Sequence, residues 1–357
     1  MLSVKTETPV SVSKKSKVFK KSKALNMNRT IPFLLQPAAK DYLWGGSRLH
    51  DDFGKEIQIR PLAETWECST HPDGPSVVAS GEDEGKLLGE VLEAHPEYLG
   101  SHPLQTTGGR PELPILLKLI DAKQDLSVQV HPDDAYALAH EHSLGKTELW
   151  YVLSAKPKAT VVYGFNQDVS EKTVRQALKQ GTIANYLNHV PIQKDDVFYI
   201  EAGTVHAIGA GVLIAEIQES SNLTYRLYDY ERTDKNGNHR ELHVEKALQV
   251  MKRNSSAAPR QPMRVLKYTQ GCARELLMRC KYFQAERLLL NTESHRQMTD
   301  FRTEGNSFHV LLCTDGCGTL SGETGMLPFF KGDCIFVPAS SIPLKLHGKA
   351  QLLNVSC

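Results

Sequence analysis

Hydrophobic residues along this chain fall into short β-branched and aromatic runs separated by Gly, Pro, Asp and Asn. The segments PILLKLIDA (114–122), LSVQVHP (126–132), ELWYVLSA (148–155), ATVVYGF (159–165), DVFYIEAG (196–203), GVLIAEIQ (211–218) and LTYRLYDYER (223–232) each predict a β-strand. A second set follows at 282–290, 307–320, 333–340 and 350–356. Helical spacing interrupts the strands in GKLLGEVLEAHPEYL (85–99), in VSEKTVRQALKQGTIANYLNHV (169–190) with Ser170 as N-cap, and in RELHVEKALQVM (240–251). The pattern predicts a mainly β protein, sandwich or barrel, with inserted helices. RNSSAAPRQP (253–262) is small, polar and Pro-containing, and reads as a boundary. The expected organisation is a basic, disordered extension at 1–30, a larger unit at 31–255 and a smaller β unit at 256–357.

Two segments repeat a theme. DDVFYIEAGTVHAI (195–208) and GDCIFVPASSIPLK (332–345) share an Asp, an apolar strand and a turn of small residues, but only the first carries a His after the turn, His206. A duplicated β-barrel whose second copy lost a metal site has this appearance.

Gln129 and His131 stand two apart on the strand SVQVH, so both side chains face one side while Val128 and Val130 face the other. Glu148 opens the strand ELWYVL, and His206 follows a Gly turn. Two imidazoles, a carboxylate and an amide oxygen suit a borderline metal, Zn²⁺ first, with room left for water or substrate. The alternatives at these positions are ordinary hydrogen-bonded histidines, of which the chain has 14 in all, and a Glu148 paired with Lys118 or Arg226. Trp44, before Gly45 and Gly46, reads as an aromatic plug in a turn. Trp66 and Trp150 read as core, and Cys313 and Cys317 as small core residues flanking a TDG turn.

Charge changes the picture at one end. The chain of 357 residues has 42 Lys and Arg against 41 Asp and Glu, yet residues 1–29 hold seven lysines and one arginine against a single glutamate. The body is therefore mildly acidic and poorly suited to nucleic acid. The basic stretch has no apolar h-region and does not resemble a secretory signal; Met27 is an alternative start. No run of apolar residues is long enough to cross a membrane as a helix. Seven scattered cysteines without a CxxC pair predict reduced thiols and a cytoplasmic setting.

Taken together, KDYLWGGSRL (40–49), AETWECSTHPDGPS (63–76), LPILLKLIDAKQDLSVQVHPDD (113–134), GKTELWYVL (145–153), EAGTVHAIGAG (201–211) and SSNLTYRLYDYERTD (220–234) resemble, in order, the type I mannose-6-phosphate isomerases in their short bacterial form, within the cupin superfamily. The resemblance covers about residues 31–250. It implies two cupin-like jelly-roll domains, the second without a metal site. It implies one Zn²⁺ per chain on His131, Glu148 and His206, with Gln129 as fourth ligand in some members. Arg226 is the implied catalytic-site arginine and Lys146 the implied active-site lysine. Many relatives carry Asp four residues before the arginine, where this chain has Asn222, so a carboxylate base is absent there.

The implied reaction interconverts mannose 6-phosphate and fructose 6-phosphate by proton transfer between C1 and C2 through a metal-stabilised enediolate. The proton carrier is left open between Lys146, whose pKa a neighbouring cation lowers, and hydroxide supplied at the metal. Lys118, with Ser127 as a hydroxyl donor, is the expected phosphate clamp; a snorkelling strand lysine is the alternative. The expected partner is this sugar phosphate, with neither nucleic acid nor membrane, in a monomer or weak homodimer. Competing readings are an Fe²⁺-dependent cupin oxygenase, which wants a second His where Gln129 stands, and a non-catalytic sugar-binding or regulatory cupin.

Overall fold

The computed structural model describes residues 30–233, 236–257, 259, 265–293 and 297–357. The basic extension and the choice of start therefore lie outside the described residues, apart from Thr30, and the boundary segment 253–262 lies partly outside them. The mainly β expectation is borne out. Among the described residues the strands form sheets of ten, six and five strands, with antiparallel pairing between the named strands.

The six-stranded sheet is the centre of the molecule. Its order is Val197–Ile200, Glu148–Ala155, Val212–Glu219, Ile115–Ala122, Glu64–Cys68, Ala38–Lys40. The strands Ile115–Ala122 and Val212–Glu219 are buried at every position, which requires a layer on each face of the sheet. Parity assigns those faces. Leu117, Leu119, Leu149, Tyr151, Ala215 and Ile217 share a core with Phe283, Val310, Leu312, Phe336 and Val355. Ile120, Trp150, Val152 and Ile214 pack instead with Trp44, Val161, Phe198 and Ile208. Even positions on these strands thus look into the space between the six- and five-stranded sheets, and odd positions look away from it.

The five-stranded sheet runs Tyr225–Tyr228, Val128–Val130, His206–Ile208, Thr160–Phe165, Leu187–Pro191. Its outer face, through Val128, Val130, Ala207, Tyr225 and Leu227, is covered by residues of the helices Glu171–Lys179 and Val244–Val250. Ser170 caps the first of these, its Oγ accepting from the Thr173 N–H at 3.0 Å. That helix is shorter than the apolar spacing suggests: it stops at Lys179, and Gly181 follows at φ +68°, a conformation that favours glycine. Leu187–Pro191 then becomes a strand. The helix over 85–99 is likewise reduced to Leu88–Ala94, with a separate 3₁₀ turn opened by Pro96. Periodicity missed the short strands Phe33–Gln36, Ala38–Lys40, Glu64–Cys68 and Val77–Val78, too brief to show alternation.

The ten-stranded sheet is built mainly from residues after 265, and the strands Phe33–Gln36 and Val77–Val78 extend it past Cys334–Val337. His309–Gly322 is one continuous strand with a bulge between Cys313 and Asp315, so no TDG turn forms. Cys313 is buried, but Cys317 is exposed and is not a core residue. No helix among the described residues is long and apolar enough to cross a membrane.

A buried ion pair ties the central sheet to this larger one. Lys55 Nζ donates to Glu67 Oε2 at 2.6 Å and to the Gly332 carbonyl at 2.5 Å, and Thr65 Oγ1 donates to the other carboxylate oxygen at 2.6 Å. Burial pushes the Glu67 pKa up, against the pull of Lys55. Lys55→Met leaves this carboxylate buried without its cation and is expected to lower stability by about 3 kcal/mol, read from urea unfolding. Adding Glu67→Leu should recover much of the loss. An unchanged midpoint in the single variant would show that the pair contributes nothing.

Candidate metal centre and its cavity

The even-position rule delivers the site. Glu148, Glu216, Lys118, Trp66 and Glu64 project from the cavity face of the six-stranded sheet. Opposite them, the register of the five-stranded sheet aligns Arg226, Gln129, His206 and Tyr163 side by side across four strands. His131 follows Gln129 by two residues and joins the same side. Four sequence-predicted residues are thus brought together from segments about 80 residues apart in the chain.

His131, Glu148 and His206 are fully buried, and their ligand atoms lie within 4.8 Å of one another. His131 Nε2 is 3.5 Å from Glu148 Oε2, and His206 Nε2 is 3.3 Å from Glu148 Oε1. Ligand atoms about 2.0–2.2 Å from a tetrahedral ion are about 3.3–3.6 Å apart, so the spacing fits. Neither Glu148 oxygen accepts a well-directed hydrogen bond, nor does His131 Nδ1 have a partner. A buried carboxylate left in that state calls for a cation. His206 Nδ1 lies 2.8 Å from the Thr204 carbonyl; donation there leaves the Nε2 lone pair free for an ion. Burial lowers both imidazole pKa values, that of His131 to about 3, which keeps them neutral and able to ligate. Gln129 Nε2 lies 3.3 Å from His206 Nε2; turning the amide over presents its oxygen to the same point.

Glu148 does not pair with Lys118 or Arg226. Its partner is Lys146, whose Nζ is 2.8 Å from Oε2 and 3.2 Å from His131 Nε2. Burial alone would lower the lysine pKa, yet Glu148 and Glu216 outweigh it and raise the value. Burial would raise Glu148, but Lys146 and the two imidazoles hold it well below the usual carboxylate range.

Sequence reasoning missed two carboxylates on this face. Glu216 Oε1 is 3.4 Å from Lys118 Nζ and 3.8 Å from Lys146 Nζ, and Glu64 Oε2 is 3.8 Å from Lys118 Nζ. Burial, then the field of Glu148, pushes the Glu216 pKa up. The signal was present: a Glu inside the wholly apolar run GVLIAEIQ must find a cation if it is buried. Lys118 is itself buried, with its Nζ 4.7 Å from the Trp66 ring centroid. Ser127 Oγ accepts from Arg226 Nε at 3.3 Å, and Arg226 Nη1 donates to the Glu241 carbonyl at 2.8 Å. Asn222 donates from Nδ2 to Asp73 Oδ2 at 2.7 Å, so a carboxylate does stand beside that amide, on a different loop.

A group of neutral imidazoles and one carboxylate, walled by β-sheets and set about with lysines and an arginine, defines a cupin-type enzyme cavity. Sequence models agree on the particular kind. Residues 33–147 match the catalytic domain of type I phosphomannose isomerase, and residues 275–357 match the mannose-6-phosphate isomerase cupin domain. The mannose-6-phosphate isomerase ManA of Bacillus subtilis is 35% identical over 325 residues, spanning 91% of this chain and 98% of that protein. The Streptococcus mutans mannose-6-phosphate isomerase is 42% identical over 220 residues, 62% of this chain and 67% of its own. A crystal structure of the Bacillus subtilis mannose 6-phosphate isomerase superposes with a TM-score of 0.81 at 33% identity, covering 91% of this chain and 99% of that one. The chain belongs to the type I phosphomannose isomerase family, a family of aldose–ketose isomerases.

Behind Lys146–Glu148 lies a second carboxyl pair. The Thr147 N–H donates to Glu219 Oε1 at 2.7 Å, while Tyr282 and Gly145 donate to Asp134. Both carboxyls line a cavity of about 520 Å³ that excludes the His–Glu–His group. Burial, then Asp134, pushes Glu219 up to about 8 from 4.5. The folded state therefore holds a proton that the unfolded state has released, so this contribution to stability is complete below about pH 4.5 and is lost as pH rises to about 8. Thermal melts between about pH 5 and about pH 8 should show a fall in Tm that Glu219→Gln flattens. A parallel fall in both proteins would assign the dependence to another group.

Proposed function

We propose that this chain interconverts mannose 6-phosphate and fructose 6-phosphate, with one Zn²⁺ held by His131, Glu148, His206 and Gln129. The observation that carries the reading is the convergence of two neutral imidazoles on one buried carboxylate, with ligand atoms within 4.8 Å of one another and one strand away from Arg226. When bound, the ion supplies Lewis-acid stabilisation to the oxygens of an enediolate.

The chain's own groups do the rest. Arg226 is held by Ser127 and the Glu241 carbonyl, which fixes its guanidinium and sets positive charge where the enediolate oxygens develop negative charge. Lys146, kept protonated by Glu148 and Glu216, carries a proton at Nζ beside the cluster, and we assign it the proton shuttle. Lys118 and Ser127 are assigned to the phosphate; Glu216 and Glu64 fix the lysine's position from two sides.

Residues 31–255 are the metal-binding unit in this reading, and 256–357 a second cupin-like unit without metal ligands. The strand–turn–strand segments 197–208 and 334–345 support a common origin. The reading also includes a cytoplasmic protein, monomeric or weakly dimeric, acting on a small sugar phosphate.

Elemental analysis should find about one zinc per chain. A chelator should abolish the conversion of mannose 6-phosphate, and added zinc should restore it. His206→Ala should lose both metal and activity. Arg226→Ala should retain zinc and lose about 10²–10³-fold in kcat. Activity that survives metal removal, or its absence in the zinc-loaded protein, would reject the isomerase reading; zinc loss in the arginine variant would make that residue structural.

A further inference from the structure

Trp66 and Trp150 are buried to within 1% of full burial, as core residues are. Packing does not use their N–H groups, and a buried indole N–H needs an acceptor. In both cases the acceptor is a carboxylate of the cavity. Trp66 Nε1 donates to Glu64 Oε2 at 2.8 Å, and Trp150 Nε1 donates to Glu216 Oε2 at 3.0 Å. These are the two carboxylates between which Lys118 sits, and Glu216 also faces Lys146. Trp150 further meets the His206 imidazole edge to face, with centroids 5.4 Å apart at 74°.

We propose that the two tryptophans are positioning residues, each locking a buried carboxylate so that it holds a lysine in place: Trp66 through Glu64 for Lys118, and Trp150 through Glu216 for Lys146 and Lys118. A glutamate carboxylate turns freely about its last bond. With Oε2 fixed by an indole, Glu216 has only Oε1 left to offer, and that oxygen is the one near both lysines. Without the indole the carboxylate can turn, and Lys146, which lies 2.8 Å from Glu148 Oε2, loses the opposing pull of Glu216 at 3.8 Å that orients its ammonium in the cavity. The two indoles differ in what they serve. Trp66 acts on the lysine assigned to phosphate, and Trp150 acts both on that lysine and on the one assigned to the proton.

The assignment of those roles rests on the isomerase reading, and the experiment separates the two. Trp66→Phe and Trp150→Phe keep an aromatic ring and lose the N–H; activity is scaled to folded, metal-loaded protein. Trp66→Phe should raise KM for mannose 6-phosphate about tenfold with kcat nearly unchanged, and Trp150→Phe should lower kcat about tenfold and raise KM as well. In a Glu216→Gln background Trp150→Phe should cost less than about twofold more, and Trp66→Phe likewise in Glu64→Gln, because each tryptophan acts through its carboxylate. Effects that multiply fully in both backgrounds, or no effect, would reduce the tryptophans to packing and overturn the proposal. Should a Phe variant not fold, benzothienylalanine at the same position keeps the bicyclic ring without the N–H and gives the same comparison. Calorimetric binding of mannose 6-phosphate closes the test. If the wild type binds it without turnover, the isomerase reading falls, and weaker binding by Trp66→Phe still upholds the positioning role. If Trp66→Phe binds as tightly as wild type, or the wild type does not bind at all, the positioning role falls.

Discussion

Everything in the cavity follows from placing one ionised carboxylate where water cannot reach it. Glu148 has no exposed surface, and a charge in that position persists only if cations surround it. Lys146 is the cation at its side, the two neutral imidazoles leave room for a metal ion at its other edge, and the lysine in turn needs a second carboxylate, Glu216. The result is an alternating series running across the sheet: Lys118 with Glu64 and Glu216, Glu216 with Lys146, Lys146 with Glu148. Each charge is tolerable because of its neighbours, so the series stands as a unit and its members are not independent substitutions.

The sheet that carries this series is buried on both sides, and the two sides have different chemistry. Odd positions are mainly apolar and, with the Lys55–Glu67 pair, weld the central sheet to the large one. Even positions mix apolar residues with Lys118, Glu148 and Glu216. One strand such as Glu148–Ala155 therefore serves a structural core and a reactive cavity at once, by the simple alternation of its side chains. The apolar core behind the sheet gives the charged face the stiffness that a site needing sub-ångström placement requires.

That alternation also explains what could be read in advance. Gln129 and His131 were placed on one face by their spacing alone, and the strand ELWYVLSA has the bounds its composition indicates. His206 and Glu148 were grouped with them on ligand chemistry, and the family's motifs strengthened that grouping, since nothing local connects residue 131 with residue 206. Glu64 and Glu216 escaped notice because a charge in a strand looks like an exposed residue until the strand is known to be covered on both sides. The tryptophans escaped for the opposite reason: their size announces a core, and hides a hydrogen-bond donor. Of the two carboxylates beside Lys146, Glu148 stands two residues along the chain, whereas sequence distance conceals Glu216.

The strand Phe33–Gln36 lies beside Cys334–Val337, some 300 residues further along the chain. On a ribosome it emerges some 300 residues ahead of that partner. Until then Val77–Val78 can cover one side of the early strand, and the other is a bare backbone edge of the kind that pairs indiscriminately with other chains. Closure of this sheet thus waits on distant synthesis, and a nascent polypeptide cut short before Cys334–Val337 carries an open β-edge that the folded protein conceals.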